Sequence, residues 1–193
     1  MLVCRMIEHA SMELWLVRHG ESLGNLDGSQ SDSALSPAGE AQARALAPTL
    51  GEESFSRVLS SPLLRARQTA ELALPARPAT LEPRLRELVV PSETFLDSSA
   101  LGPEQLRELL DRARAETGPR PETGRAFIER VSSWLDGLPH QLEPGARALA
   151  FTHFAVIREC LRLSGVRPLP QQIEHCVVHR LALPRSQPAG TAV

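Results

Sequence analysis

Leu14-Trp15-Leu16-Val17-Arg18-His19-Gly20-Glu21 is the stretch on which the reading of the fold turns. Four consecutive apolar residues read as a buried strand over 13–18. The strand ends on a permanently charged guanidinium beside an imidazole able to act as nucleophile or base. The glycine after them lets the backbone turn sharply or approach a ligand closely. Such an ending suits an anionic substrate.

Working outward, Asn25, Asp27-Gly28 and Asp32 predict a turn-rich loop after this strand. Ser36-Pro37 then opens a helix that runs to about Gly51, with serine as N-cap and proline at the first helical position. Residues 57–60 read as a second strand, Ser61-Pro62 as its exit and 63–74 as the next helix. A proline-rich connector over 75–83 leads to Arg84-Leu85-Arg86-Glu87-Leu88-Val89-Val90. Helices are predicted at 103–116 and 124–137, a third strand at 147–152 ending at His153, a helix over 155–163 before Gly165, and a closing strand at 176–183. Strands alternating with helices imply an α/β fold, a three-layer α/β/α sandwich with a mainly parallel central sheet. One domain is expected over 12–183, after an extension at 1–11 and before a flexible tail at 184–193.

Composition narrows the partners. The net charge is −2 and the isoelectric point about 6.3, so no general positive field draws in nucleic acid or a membrane surface. All 21 basic residues are arginine, which excludes Schiff-base chemistry on lysine. Cys4, Cys160 and Cys176 lack the spacing of a disulfide framework or a zinc site, and a cytoplasmic location is expected. No membrane span is expected from the sequence.

In open α/β sheets ligands bind beyond the carboxyl ends of the strands. Arg18 and His19 follow the first strand, Arg65 lies in the first helical turn after the second, and His153 follows the third. Four cation-capable groups in one partly buried pocket would repel one another unless an anion were present. Phosphate fits, because arginine forks match its oxygens and donors set in place before reaction stabilise the charge that spreads during phosphoryl transfer.

Arg18-His19-Gly20-Glu21-Ser22 with Asn25, Asp32-Ser33-Ala34-Leu35-Ser36-Pro37-Ala38-Gly39, and Ser60-Ser61-Pro62-Leu63-Leu64-Arg65-Ala66-Arg67-Gln68-Thr69-Ala70 together resemble the histidine phosphatase, or phosphoglycerate mutase-like, superfamily. The resemblance implies a phosphoglycerate mutase-like fold and a phosphomonoester hydrolase that forms a phosphohistidine on His19. It implies that Arg18, Asn25, Arg65 and His153 bind the phosphoryl group, that Glu87 is the acid and base, and that no metal or other cofactor is required. The substrate implied is a small phosphorylated metabolite or a phosphoprotein. A phosphoglycerate mutase is the alternative enzyme, and a non-catalytic phosphate- or phosphoprotein-binding protein the alternative class.

Two departures from the family pattern stand out. Leu88-Val89-Val90-Pro91-Ser92 replaces an aromatic and glycine motif after the glutamate, which leaves Glu93 and Asp97 as other candidate acids. Phe154-Ala155 replaces a glycine pair after the second histidine. His175 and His179, on a predicted strand, face the same way but lack a nearby carboxylate or thiol set for a metal. Gly20-Glu21-Ser22-Leu23-Gly24 matches a serine-esterase elbow, but an elbow needs a helix directly after the serine, where a turn-forming loop is predicted. Selectivity is expected to reside between Val89 and Gly124.

Overall fold

The computed structural model describes residues 11–27, 32–88, 122–166 and 172–184. In chain order its elements are β1 (Met12–Arg18), α1 (Leu23–Asp27), α2 (Pro37–Ala45), α3 (Ala47–Gly51), β2 (Arg57–Ser60), α4 (Leu64–Ala73), β3 (Thr80–Leu81), α5 (Gly124–Gly137), β4 (Arg147–Thr152), α6 (Phe154–Leu163) and β5 (Val178–Leu183). Short 3₁₀ turns stand at Pro83–Leu85 and Pro139–Gln141. The strands form one sheet in the order β3-β2-β4-β1-β5. All neighbouring pairs are parallel except β1 with β5.

Side-chain alternation along β1 separates two cores. Leu14 and Leu16 point to the face covered by α5 and α6, where they pack with Trp134, Ile157 and Ala150. Trp15 and Val17 point to the other face and pack with Leu50, Phe55, Ala70 and Phe151. Helices thus cover both faces, the expected three-layer sandwich, and strands between two covered faces are apolar throughout. Among the described residues 34 hydrophobic side chains are buried, nearly all in these two clusters, and their burial supplies the main favourable free energy for the fold.

The helix starts follow from their capping residues. Ser36 accepts the Gly39 N–H at 3.0 Å, with Pro37 at the first helical position. Thr123 caps α5 in the same way by accepting from Ala126 N. Leu63 before α4 offers no side-chain oxygen, and Asp32 supplies one from a distant loop, accepting from Leu64 N at 2.6 Å.

Several boundaries differ from the sequence reading. The helix predicted from Pro37 to Gly51 is broken at Leu46, because Pro48 has no N–H to bond the Arg44 carbonyl and its ring crowds that oxygen. Residues 23–27 form α1 instead of part of a loop. Ser22 and Asn25 nucleate it reciprocally: Ser22 N donates to Asn25 Oδ1 at 3.0 Å and Asn25 N to Ser22 Oγ at 3.3 Å. The closing strand begins at Val178, since Cys176 has φ of 57° and cannot continue a strand. The expected helix at 103–116 lies outside the described residues, as do the 1–10 part of the extension and the tail from 185.

Candidate active site

Strand register builds the centre of the site. Arg18 pairs with Thr152 and Ser60 with Phe151, so the residues that leave β1, β4 and β2 emerge side by side. His19 N donates to Thr152 O and Ser61 N to Phe151 O, both at 2.9 Å, which carries the ladder one step past the strands. The His19 and His153 ring centroids are 5.1 Å apart.

His19 is buried, and both its ring nitrogens are engaged. Nδ1 lies 2.7 Å from Gly20 O, and since a carbonyl only accepts, Nδ1 carries the proton. Nε2 is then a lone pair, and it accepts from Arg65 Nε at 3.1 Å. Gly20 is held by its own N–H, which donates to Thr69 Oγ1 at 3.0 Å. No side chain fits at Gly20, because a Cβ there would stand 2.5 Å from Gly39 O.

The electrostatics differ from the four-cation picture drawn from sequence. Burial, followed by the Arg65 charge, pushes the His19 imidazole well below its ordinary value. Burial and then the neighbouring His19 do the same for His153. Both rings are therefore neutral at neutral pH, and the positive charge belongs to Arg18 and Arg65. Arg18 donates through Nη1 to Ile173 O at 2.9 Å and lies 5.5 Å from the Phe154 ring centroid. Its Nε and His153 Nδ1 are buried polar atoms without a partner among the described residues. Such groups are costly unless something bound completes them. His153 Nε2 lies 2.8 Å from Ser61 Oγ; a hydroxyl donating there leaves Nδ1–H as a donor toward an anion.

Glu87 joins this cluster from the other side. Its Oε1 accepts from Leu88 N at 2.9 Å and from Ala155 N, in the first turn of α6, at 3.2 Å. Burial raises its carboxyl above the usual range, against the pull of those two N–H groups and of Arg65 and Arg18. A carboxyl so placed keeps its proton to higher pH than a surface glutamate.

The structure thus brings Arg18, His19, Arg65, Glu87 and His153 together. Asn25 stands apart as an exposed α1 residue whose Oδ1 accepts from Ser22 N and Ser22 Oγ; what remains for a ligand is its amide Nδ2. Glu93 and Asp97 lie outside the described residues, as does most of the segment expected to set selectivity. The ground for setting aside the serine elbow needs correction, because α1 does follow Ser22 directly. What disposes of it is geometry: Ser22 Oγ is spent on Asn25, and His153 bonds Ser61.

His175 is the main residue that motif reading missed. It precedes β5, donates from Nδ1 to His19 O at 2.7 Å, and its ring centroid is 5.4 Å from that of His19. It does not pair with His179, which sits in β5 opposite Leu16. Its only sequence signal was an imidazole near a strand start, too common to stand out. Among the described residues no group of three or more His, Cys, Asp or Glu is arranged to hold a metal, and no helix is long and apolar enough to cross a membrane.

The family model of the histidine phosphatase superfamily (branch 1) matches residues 14–186. A Photorhabdus laumondii protein named "Probable phosphoglycerate mutase GpmB" is 35% identical over 151 residues, covering 74% of this chain and 69% of the relative. The solved phosphoglycerate mutase from Thermus thermophilus superposes with a TM-score of 0.61 at 38% identity, covering 90% of this chain and 95% of that one. A structure described as "a putative alpha-ribazole-5'-P phosphatase" from Escherichia coli K-12 gives a TM-score of 0.65 at 27% identity, over 88% and 90% of the two chains.

Proposed function

This chain belongs to the histidine phosphatase superfamily, branch 1, and from that premise we propose that it is a phosphomonoester hydrolase working through a phosphohistidine on His19. The observation that carries the reading is the His19 ring itself, with Nδ1–H tied to Gly20 O and a neutral lone pair at Nε2 beside the Arg65 guanidinium. A nucleophile held in one tautomer next to an arginine fork needs no proton removed before it attacks.

The substrate phosphoryl group lies between Arg18, Arg65, His153 Nδ1 and the Asn25 amide, which bind its equatorial oxygens. His19 Nε2 attacks in line; the P–N bond forms as the ester P–O bond breaks, and the departing oxygen takes the Glu87 proton and leaves as an alcohol. Glu87, now a carboxylate, accepts a proton from water as that water's oxygen attacks phosphorus. The P–N bond then breaks, inorganic phosphate departs, and Glu87 is protonated again. The substrate is a small phosphorylated metabolite or a phosphoprotein segment.

A mutase is the second reading, favoured by the names of the relatives. It differs in one step, since the phosphohistidine passes its group to a second substrate hydroxyl instead of water. With 3-phosphoglycerate and a panel of phosphomonoesters, the expected result is release of inorganic phosphate, an acid-labile phosphate trapped on the native chain, and neither with His19→Ala. Interconversion of phosphoglycerates outrunning phosphate release assigns the mutase. Absence of both turnover and trapped phosphate leaves a phosphate-binding protein.

A further inference from the structure

Glu87 sits at the end of a segment that has no regular structure to hold it. The backbone over Arg84–Arg86 includes only the last part of a single 3₁₀ turn, so its carbonyls must find partners outside the segment. All three do. Leu85 O accepts the Thr152 hydroxyl at 2.8 Å, from the end of β4. Arg84 O and Arg86 O both accept from one atom, Nη1 of Arg130, at 2.5 and 3.1 Å.

Arg130 reaches these carbonyls from α5, and its own orientation is fixed. Glu122 grips the opposite edge of the guanidinium, with Nε on Oε1 at 2.8 Å and Nη2 on Oε2 at 2.5 Å. The Phe127 ring lies 5.2 Å from Cζ. A planar fork held by a two-point carboxylate on one edge can present its remaining donors in one direction only. That direction is the backbone just before Glu87. Beyond this clamp, among the described residues the carboxyl is tied through Oε1, by Leu88 N and Ala155 N, and neither bond reaches Oε2.

We propose that Arg130 is a positioning residue for the general acid: oriented by Glu122, it ties the Arg84–Arg86 backbone to α5 and so aims the Glu87 carboxyl at the leaving-group oxygen. The proposal rests on the assignment of Glu87 as acid in the reaction above. It explains why a group on an irregular segment keeps one geometry, which proton transfer to a departing oxygen demands. A lysine at 130 would supply the charge without the fork, and would serve poorly.

A merely structural staple and a positioning residue part company on leaving groups. An alkyl phosphomonoester such as glycerol phosphate needs its departing oxygen protonated, whereas p-nitrophenyl phosphate scarcely does. For both esters kcat/KM, which reports the first phosphoryl transfer and not the later hydrolysis in which Glu87 acts as base whatever the substrate, is measured for the native chain, E87Q, R130M, R130K and E122Q, with thermal melts alongside. E87Q is expected to lose about a hundredfold on the alkyl ester and much less on the aryl one, and R130M about tenfold or more with the same selectivity. R130K should fail to restore the alkyl activity, and E122Q should fall between. If R130M does not fold, R130K and E122Q decide on the same ratio. Equal losses on both substrates in the Arg130 and Glu122 variants, with E87Q selective, overturn the positioning role. An unselective E87Q instead removes Glu87 as the acid, and the inference falls with that assignment by a separate route.

Discussion

The proposed nucleophile side of the site and the proposed acid side reach the same cluster by different physical routes. His19, His153 and Ser61 are each the first residue past a strand, and parallel register alone sets them next to one another. Gly20 O and Thr152 O hold His19, Phe151 O holds Ser61, and Ser61 in turn bonds His153. Glu87 follows an irregular segment whose every preceding carbonyl is bonded by a side chain from β4 or α5. One side is held by the sheet and the other by a few long-range polar contacts. The sheet-held side is therefore intolerant of any added volume, whereas the acid side is sensitive to the loss of individual bonds.

Chemistry on the acid side should show the largest effect. Ordinary values of 6.5 for imidazole and 4.5 for a carboxyl would put the proton on the wrong partner, since the proposed reaction needs neutral His19 and protonated Glu87. The fold moves both in the useful direction, lowering the imidazole and raising the carboxyl. Activity on alkyl phosphomonoesters is thus expected to fall on the acid side as His19 gains a proton and on the basic side as Glu87 loses one. E87Q should lower activity on the alkyl ester by about a hundredfold and abolish the basic limb of the pH profile while keeping the acid one. A basic limb that survives in E87Q would place the acid elsewhere and dissolve the contrast between the two sides.

Volume is the test on the sheet-held side. A Cβ at Gly39 would stand 1.9 Å from the backbone oxygen of Glu21, with no flexible side chain to give way. Gly39→Ala is expected to cost about 3 kcal/mol, as severe overpacking does, and to lower Tm by about 10 °C in a chain of this size. Gly51→Ala, at the end of α3 with nothing within 4 Å, is the matched control and should be neutral or stabilise by about 0.5 kcal/mol through the unfolded chain. Calorimetric melts of the two variants decide; equal Tm values would mean that the Gly39–Glu21 approach is not tight.

The same contrast governs what could be read in the sequence. β1, β2 and β4 carry apolar runs because both faces are covered, and their exits carry the motif residues, so fold class, His19, Arg18, Arg65 and His153 were legible together. The α2–α3 break does not show in the apolar spacing, because Ala45, Leu46 and Leu50 continue a helical pattern straight across Pro48. β3 is two exposed residues, with no pattern to detect. α1 was hidden because serine and asparagine signal turns and caps alike. Arg130 and His175 belong to no motif; their roles come from contacts across 44 and 156 residues of chain, which local spacing does not encode.

Asn25 gives the smallest and most discriminating effect, because it stands between local structure and chemistry. Its Oδ1 closes the Ser22–Asn25 box that starts α1, and its Nδ2 is the group left for a phosphoryl oxygen. Asn25→Ala removes both functions and should cost about 1 kcal/mol of stability and raise KM about tenfold, the scale of one hydrogen bond to a charged group. Asn25→Asp separates them. An aspartate oxygen still accepts from Ser22, so the melt should stay near that of the native chain, while its charge now faces the phosphoryl group and KM should rise at least as far as in the alanine variant. A native KM in Asn25→Asp would make the residue a helix cap and nothing more, and would confine phosphoryl binding to Arg18, Arg65 and His153, all of them on or beside the sheet.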